Sequence, residues 1–326
     1  MANHRYNAYA DFFRRTYGER MQKLSIDAGF SCPNRSSNNR TDGGCTFCNN
    51  SAFNPSYCTP QKSIRQQLDE GISFHEHRYR KTGRYLAYFQ AYSNTYAPLE
   101  VLKERYGQAL SHPQVAGLII GTRPDCVDER VLDYIATLTK THFVAVEYGA
   151  ESCYDDTLRL INRGHDFATT RRAIEMTVER GIGCGIHLIL GLPGEDRNKI
   201  LLETDIVNSL PINTLKLHQL QILKGSQMER HYDGSLPVPP EEAIMHFQLD
   251  EYIALVCDFL ERLRPDIMME RFAGEVPPRF QAQPQRSWRR PDGRLIRNEE
   301  IPLLVDAELA RRDSRQGSRY NPHPKQ

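Results

Sequence analysis

Three cysteines sit in one polar stretch, CPNRSSNNRTDGGCTFC, at Cys32, Cys45 and Cys48, a spacing of C-x12-C-x2-C. Five others (Cys58, Cys126, Cys153, Cys184 and Cys257) are scattered. The chain opens MANHRYNAYADFFRRTYGER, which has no apolar segment of the secretory-leader kind. In such a chain grouped cysteines are metal ligands more often than disulfides, and the expectation is a cytoplasmic protein. Two metal chemistries suit three thiolates. Structural zinc is closed by four protein ligands, and Cys58, His75 or His77 could supply the fourth. A [4Fe–4S] cluster can instead be held by three, which leaves one iron without a protein ligand. S-adenosylmethionine (SAM) chelating that iron through its amino and carboxylate groups could be cleaved by one electron to a 5′-deoxyadenosyl radical. The radical chemistry would be the cofactor's, with the protein supplying orientation and exclusion of water. The loop suits a tight approach: Gly43 and Gly44 precede Cys45, and Asn34, Asn38 and Asn39 tolerate turns. Phe47 is placed either to shield a cluster and touch a ligand or simply to pack the loop.

The elements that must carry this loop recur as a strand followed by a helix. Strand-like runs are QKLSIDAG (22–29), RYLAYFQAY (84–92), VAGLIIGT (115–122), HFVAVEYGA (142–150), GCGIHLILG (183–191), NTLKLHQLQI (213–222) and DIMMERF (266–272). Several are nearly continuous Ile, Leu, Val and Tyr, as in strands buried on both faces. Helices fall between them. Thr59-Pro60 reads as the start of a helix carrying Ile64, Leu68 and Ile72, and Gly181 reads as a C-terminal cap. A long helix is expected over 241–263. Six or seven such units predict a parallel sheet, either doubly wound or closed wholly or partly into a barrel. In each case chemistry belongs at the C-terminal ends of the strands, and the cysteine loop follows the first.

The 326 residues are 39% apolar and 25% charged with a net charge of +1, a globular composition without a polyanion-binding signature overall. No apolar run approaches ~20 residues, which excludes a spanning helix. The last segment differs. Residues 279–326 hold eleven Lys/Arg against six Asp/Glu, and the single Trp288 lies among Arg286, Arg289 and Arg290.

Taken in order, SIDAGFSCPNR, GGCTFCN, AYFQAYSNTYAP, GTRPDC, VEYGAES, NRGHD, ILGLPGE and KLHQLQILKGS resemble the radical SAM superfamily. More narrowly, they are similar to the bacterial Fe–S oxidoreductases of the YhcC/YtqA type, relatives of the radical SAM domain of the Elongator catalytic subunit. The likeness runs from about residue 20 to 275. It implies an α/β fold, a partial (β/α)6 TIM-like barrel, divided as an N-terminal helical segment (1–21), a core (22–275) and a basic C-terminal extension (276–326).

The resemblance also implies one [4Fe–4S] cluster on Cys32, Cys45 and Cys48, with SAM across the strand ends. Gln90, Ala91 and Tyr92 stand where relatives have a GGE-like turn toward the methionine amino group, although this chain lacks the Gly-Gly. Tyr92, Asn94 and Tyr96 are candidates to face substrate. Glu147, a carboxylate within an apolar strand, needs a partner, and with Glu151 it falls where relatives contact ribose or methionine. Arg163 matches the SAM carboxylate as a bidentate partner. Ile189 and Gly191 would let adenine approach the backbone. His187 and His218 interrupt apolar strands as core or catalytic histidines, and Lys216 and Lys224 could meet an anionic substrate. Cys126 and Cys153 follow strands three and four, as buried hydrophobes or hydrogen donors. No catalytic residue is singled out, and no second cysteine group suggests another cluster. The expected function is SAM-dependent modification of a tRNA wobble uridine, with Trp288 and its arginines able to stack and meet phosphates. An electron donor such as a flavodoxin or ferredoxin is implied, and no membrane. Alternatives are a radical SAM enzyme on a small metabolite or a zinc-stabilised binding protein.

Overall fold

The computed structural model describes residues 4–35, 43–78, 82–231, 242–274, 276–282, 288–290 and 292–322. Asn38, Asn39 and Arg286 lie outside them. In chain order the elements begin with α1 (Tyr9–Tyr17), β1 (Gln22–Ile26), α2 (Ile64–Arg78), β2 (Tyr85–Phe89), α3 (Leu99–Leu110) and β3 (Val115–Thr122). There follow α4 (Glu129–Leu138), β4 (Phe143–Glu151), α5 (Asp155–Leu160), α6 (Phe167–Glu179), β5 (Gly183–Leu190) and α7 (Arg197–Asn208). The chain continues through β6 (Thr214–Gln219), α8 (Gln227–His231), α9 (Leu249–Arg262), β7 (Met268–Arg271) and α10 (Ile301–Arg311).

All seven strands are parallel and in sequential order β1 to β7, one for each of the seven strand-like runs, with β7 extending the (β/α)6 barrel. Alternation along each strand sorts the side chains. Leu24, Ile26, Ala87, Phe89, Leu118, Ile120, Val144 and Val146 join the large core beneath the helices. The intervening positions Leu86, Tyr88, Ile119 and Ala145 point inward and pack against Tyr9 and Phe13 of α1. That helix therefore plugs the N-terminal end of the barrel, and Ala8 just before it bridges to Met269 of β7. Burying the Phe13 side chain is worth about 1.5–3 kcal/mol. The sheet curls far enough that Lys23 on the first strand and Glu270 on the last lie 2.5 Å apart, although β1 and β7 are not paired.

Two helix starts differ from expectation. The cap of α2 is Ser63, whose Oγ accepts the Gln66 N–H while Gln66 accepts the Ser63 N–H; Thr59 only closes a preceding turn. This reciprocal pair satisfies two otherwise orphaned donors. The long 241–263 helix begins at Leu249, because Gln248 and Glu251 form a capping box there. The residues before it lie as a strap over the β5 end, with Met245 N donating to Gly191 O and Gly194 N to Ala243 O.

The C-terminal extension is folded wherever it is described. Ile301, Val305 and Leu309 of α10 are buried, and α10 packs on α9. Arg312 ties the end of α10 to Asp258 at 2.7 Å. Trp288 packs at a tilt on Tyr252, with centroids 4.9 Å apart, and donates Nε1–H to Phe247 O at 2.9 Å, so its ring is committed to this packing. Among the described residues no helix is long and apolar enough to cross a membrane.

Candidate functional site

The loop after β1 is laid across the barrel mouth by backbone and amide bonds to the α5–α6 connection, the β6–α8 connection and α8 itself. Thr46 N donates to Ile161 O beyond α5, and Met228 N of α8 donates to Thr46 O. Asn162 Nδ2 holds Gly44 O at 2.9 Å, and Asn49 Nδ2 holds Lys224 O at 2.8 Å. Gly43 and Gly44 take φ of 73° and 95°, a left-handed course that favours glycine. A tight turn with Cys48 N on Cys45 O then brings the last two cysteines together.

Cys32, Cys45 and Cys48 all line one large cavity at the strand C-termini, and no other described cysteine does. Their sulfurs meet donors. Arg35 Nη2 reaches Cys48 Sγ at 3.1 Å, and Arg163 Nη1 reaches Cys45 Sγ at 3.4 Å. The amides of Asn50 and Asn34 lie 3.7 Å from Cys48 and Cys45 respectively. Burial, with Cys45 adding, pushes the Cys48 thiol up to about 11, and Arg35 opposes the shift. Guanidinium and amide groups turned on sulfur suit an anionic thiolate cluster, and they place positive charge where ligation must displace protons. Cys58, proposed as a fourth zinc ligand, is buried away from this cavity beside Asp27. Among the described residues no three His, Cys, Asp or Glu side chains converge on a single metal ion. Three thiolates spread over a cavity wall suit a polynuclear cluster, in which each iron takes its own ligand.

The cavity encloses about 1310 Å³, its open mouth included. Of the expected cofactor contacts, Phe47, Gln90, Tyr92, Glu147, Arg163 and Ile189 line it. Gln90 accepts the Ser25 hydroxyl at 3.1 Å. Tyr92 and Glu151 adopt φ of 66° and 69° at the ends of β2 and β4, a strained course for side-chain-bearing residues that recurs at functional sites. The Arg163 side chain is buried, bonded to Gly149 O and 3.4 Å from Glu151, with Nε left without a partner. Burial raises the Glu151 carboxyl while Arg163 and Arg123 lower it.

Two expected contacts fall elsewhere. Ala91 is buried beside the cavity but does not line it. Gly191 has φ 90°, and a Cβ there would stand 2.8 Å from Phe247 and 3.0 Å from Met245 O. Its freedom serves the strap over the β5 end. Asn94 is also structural: its buried amide holds Phe89 O and Gly121 O. Neither Cys126 nor Cys153 lines the cavity; Cys126 faces a neighbouring cleft, where burial and Asp125 push its thiol up to about 12.

Below the mouth lies a charged floor. Glu147 receives Lys23 at 2.6 Å, Lys216 at 2.5 Å and His187 at 3.2 Å. Glu270 bridges the same two lysines, at 2.5 and 2.9 Å. Burial raises the Glu147 carboxyl, but Lys216 and Lys23 outweigh it and hold the group well below the usual carboxylate range. Lys216, expected to meet substrate, is thus enclosed between two carboxylates. His187 is held down to about 4 by burial and Lys216, so it is a neutral partner of Glu147 at neutral pH. Sequence reasoning missed Lys23, Glu270, Arg35, Arg123 and Arg271. Adjacent charges in the apolar run DIMMERF were the readable signal for Glu270 and Arg271; nothing in the sequence paired Lys23 with a strand 247 residues away.

A family model described as the radical SAM superfamily matches residues 36–202, and one described as the Radical_SAM C-terminal domain matches 212–292. The chain is 33% identical to YtqA of Bacillus subtilis over 96% of its own length and 92% of that protein. A tRNA uridine(34) acetyltransferase of Methanocaldococcus infernus is 28% identical over 45% of this chain and 29% of that protein. The solved structure of Elp3 from Methanocaldococcus infernus shares the fold at a TM-score of 0.64 and 15% identity, covering 78% of this chain and 60% of that one.

Proposed function

The chain belongs to the radical SAM superfamily, enzymes that use a [4Fe–4S] cluster with SAM, and from that membership we propose that it cleaves SAM reductively to modify a wobble uridine of tRNA. The observation that carries the first half is the trio Cys32, Cys45 and Cys48 on one cavity wall, its sulfurs facing Arg35 and Arg163. Cys32, Cys45 and Cys48 would hold the cluster, which when bound supplies the electron that breaks the carbon–sulfur bond. The protein's own residues do the positioning. Arg35 and Arg163 neutralise the thiolates. Arg163 and Glu151 offer a guanidinium and a carboxylate to the amino-acid end of SAM, and Gln90 and Tyr92 line the same rim. Ile189 presents an apolar strand-end surface for adenine. Glu147 contributes to the floor and orients no ligand directly, since Lys23, Lys216 and His187 occupy its oxygens. The electron would come from a flavodoxin or ferredoxin.

The tRNA half rests on the partial likeness to a protein named tRNA uridine(34) acetyltransferase and on exposed arginines of the extension, such as Arg294 and Arg297. The placement of Trp288 removes base stacking from that support and favours a second reading, a small metabolite bound within the cavity. Incubating the reconstituted enzyme with bulk tRNA, SAM and reductant, then digesting to nucleosides, separates the two. A new uridine derivative is the expected product. Unaltered tRNA alongside 5′-deoxyadenosine released with a small-molecule pool would transfer the assignment to the metabolite.

A further inference from the structure

Strand β7 is bulged where it meets the barrel interior. Its register on β6 passes from Leu215↔Met269 to Lys216↔Arg271, so Glu270 and Arg271 share one opposing position. A bulge re-aims side chains, and here both turn inward: Glu270 reaches Lys23 and Lys216, and Arg271 lines the cavity.

Arg271 differs from the other cations around that space. Lys23 and Lys216 are neutralised by Glu147 and Glu270, Arg123 by Asp125, Arg163 by Glu151, and Arg35 faces Cys48. The Arg271 side chain makes no hydrogen bond or ion pair with any described residue, although it is only partly open to water. The His218 ring, on the same wall, likewise makes no hydrogen bond with any described residue; the ring packed nearest is His187, with centroids 5.9 Å apart. Burial first, then Arg271, hold His218 well below its ordinary range, so the imidazole is neutral and able to donate one N–H. A partly desolvated guanidinium without a counter-ion is costly unless a ligand supplies one, and its planar fork matches carboxylate or phosphate oxygens.

We propose that Arg271, with His218 beside it, is an oxyanion subsite for the substrate on the β6–β7 wall, so that the substrate presents a phosphate or a carboxylate there. This rests on the reading of the cavity as the active site, and it constrains substrate class whether the substrate is an RNA or a metabolite.

The test uses the full, cluster-reconstituted chain with SAM bound. Inorganic phosphate is followed by phosphorus relaxation and carboxyl-labelled acetate by carbon relaxation, for wild type, Arg271→Gln and Arg271→Lys. The expected result is broadening of at least one probe by the wild type, a tenfold or greater loss of its affinity in Arg271→Gln, and partial retention in Arg271→Lys. SAM affinity, measured by equilibrium dialysis, and the melting temperature should stay unchanged in Arg271→Gln, because the side chain holds no protein group. Binding of neither probe, equal binding by Arg271→Gln, a parallel loss of SAM affinity, or a lowered melting temperature would each overturn the subsite. An anticodon stem-loop RNA is then added as competitor. Displacement of phosphate supports the subsite with nucleic acid as the source. Oxyanion binding that the RNA leaves untouched keeps the subsite and removes the tRNA reading.

Discussion

The floor and the mouth of this barrel both bury positive charge, but they settle it in opposite ways. On the floor, Lys23 and Lys216 lie between Glu147 and Glu270, and the four charges cancel within the protein. At the mouth, Arg35 and Arg163 face the sulfurs of Cys48 and Cys45, and Arg163 also has Glu151 at 3.4 Å. The floor is complete as it folds. At the mouth Arg35 has no carboxylate partner among the described residues, so its balance comes when the cysteines ligate as thiolates. A buried charge satisfied by protein therefore marks structure here, and one aimed at sulfur or at open space marks binding.

That contrast is open to attack. The largest effect is expected at the mouth: Cys45→Ala should bring iron and sulfide content after reconstitution to background while leaving the fold intact by circular dichroism. Full iron loading by the variant would remove Cys45 from the ligand set. On the floor, Glu147→Ala leaves Lys23 and Lys216 sharing Glu270 alone, with one buried positive charge uncompensated, and breaking such a pair costs about 3–5 kcal/mol. Denaturant unfolding should show that loss, and a change under 1 kcal/mol would mean that water already relieves the floor.

Stability should also depend on pH, through a second buried site. Burial raises the Glu195 carboxyl to about 7, and it also raises Glu203 well above the ordinary range, with Glu195 adding. Their outer oxygens have no partner, while Ser152 and the Cys153 N–H occupy the inner ones. A carboxyl whose folded pKa is raised favours the folded state most where it is protonated, below the ordinary ~4.3. That advantage is lost as pH rises through about 7. The melting temperature should fall from pH 5 to 8, with a shallower fall in Glu203→Gln. A flat profile in the wild type would show that the pair is not protonated. Glu147 acts in the opposite sense: its lowered pKa means that floor stability disappears only as pH falls below the usual carboxylate range.

Smaller effects sharpen the comparison. Arg35→Gln should leave unfolding nearly unchanged but lower the cluster's reduction potential, because hydrogen bonds to ligating sulfur raise it. An unshifted potential would make Arg35 a loop-packing residue, consistent with its place over the Tyr92 ring at 5.6 Å. Least of all, Arg297→Ala should alter stability by under about 0.5 kcal/mol, its side chain being 67% exposed. If the extension contacts RNA, tRNA affinity in that variant should show a reduced salt slope.

Much of this was legible in the residues. Apolar runs located the strands because strands covered on both faces leave a dense local signal; VAGLIIGT spans β3 from end to end. The cysteine spacing marked the loop whose three cysteines line the cavity, since short-range spacing survives in sequence. What escaped depends on distance or on competing local chemistry. The Gln248–Glu251 capping box overrode the apolar pattern that extended α9 too far. Gly191 looked like a ligand approach because a strap and a nucleotide demand the same missing Cβ. Trp288 looked free among arginines because its partners, Tyr252 and Phe247, lie about forty residues upstream. Inward aim at β7 required a bulge, which a two-residue period cannot report.

The central claim is that Cys32, Cys45 and Cys48 hold a cluster that turns SAM into a radical source. The direct measurement is anaerobic reconstitution with iron and sulfide, reduction, addition of SAM and substrate pool, and quantification of 5′-deoxyadenosine beside Cys45→Ala. The wild type should yield 5′-deoxyadenosine and the variant none above background. Equal yields from both, or tightly bound zinc with no cluster in the wild type, would contradict it.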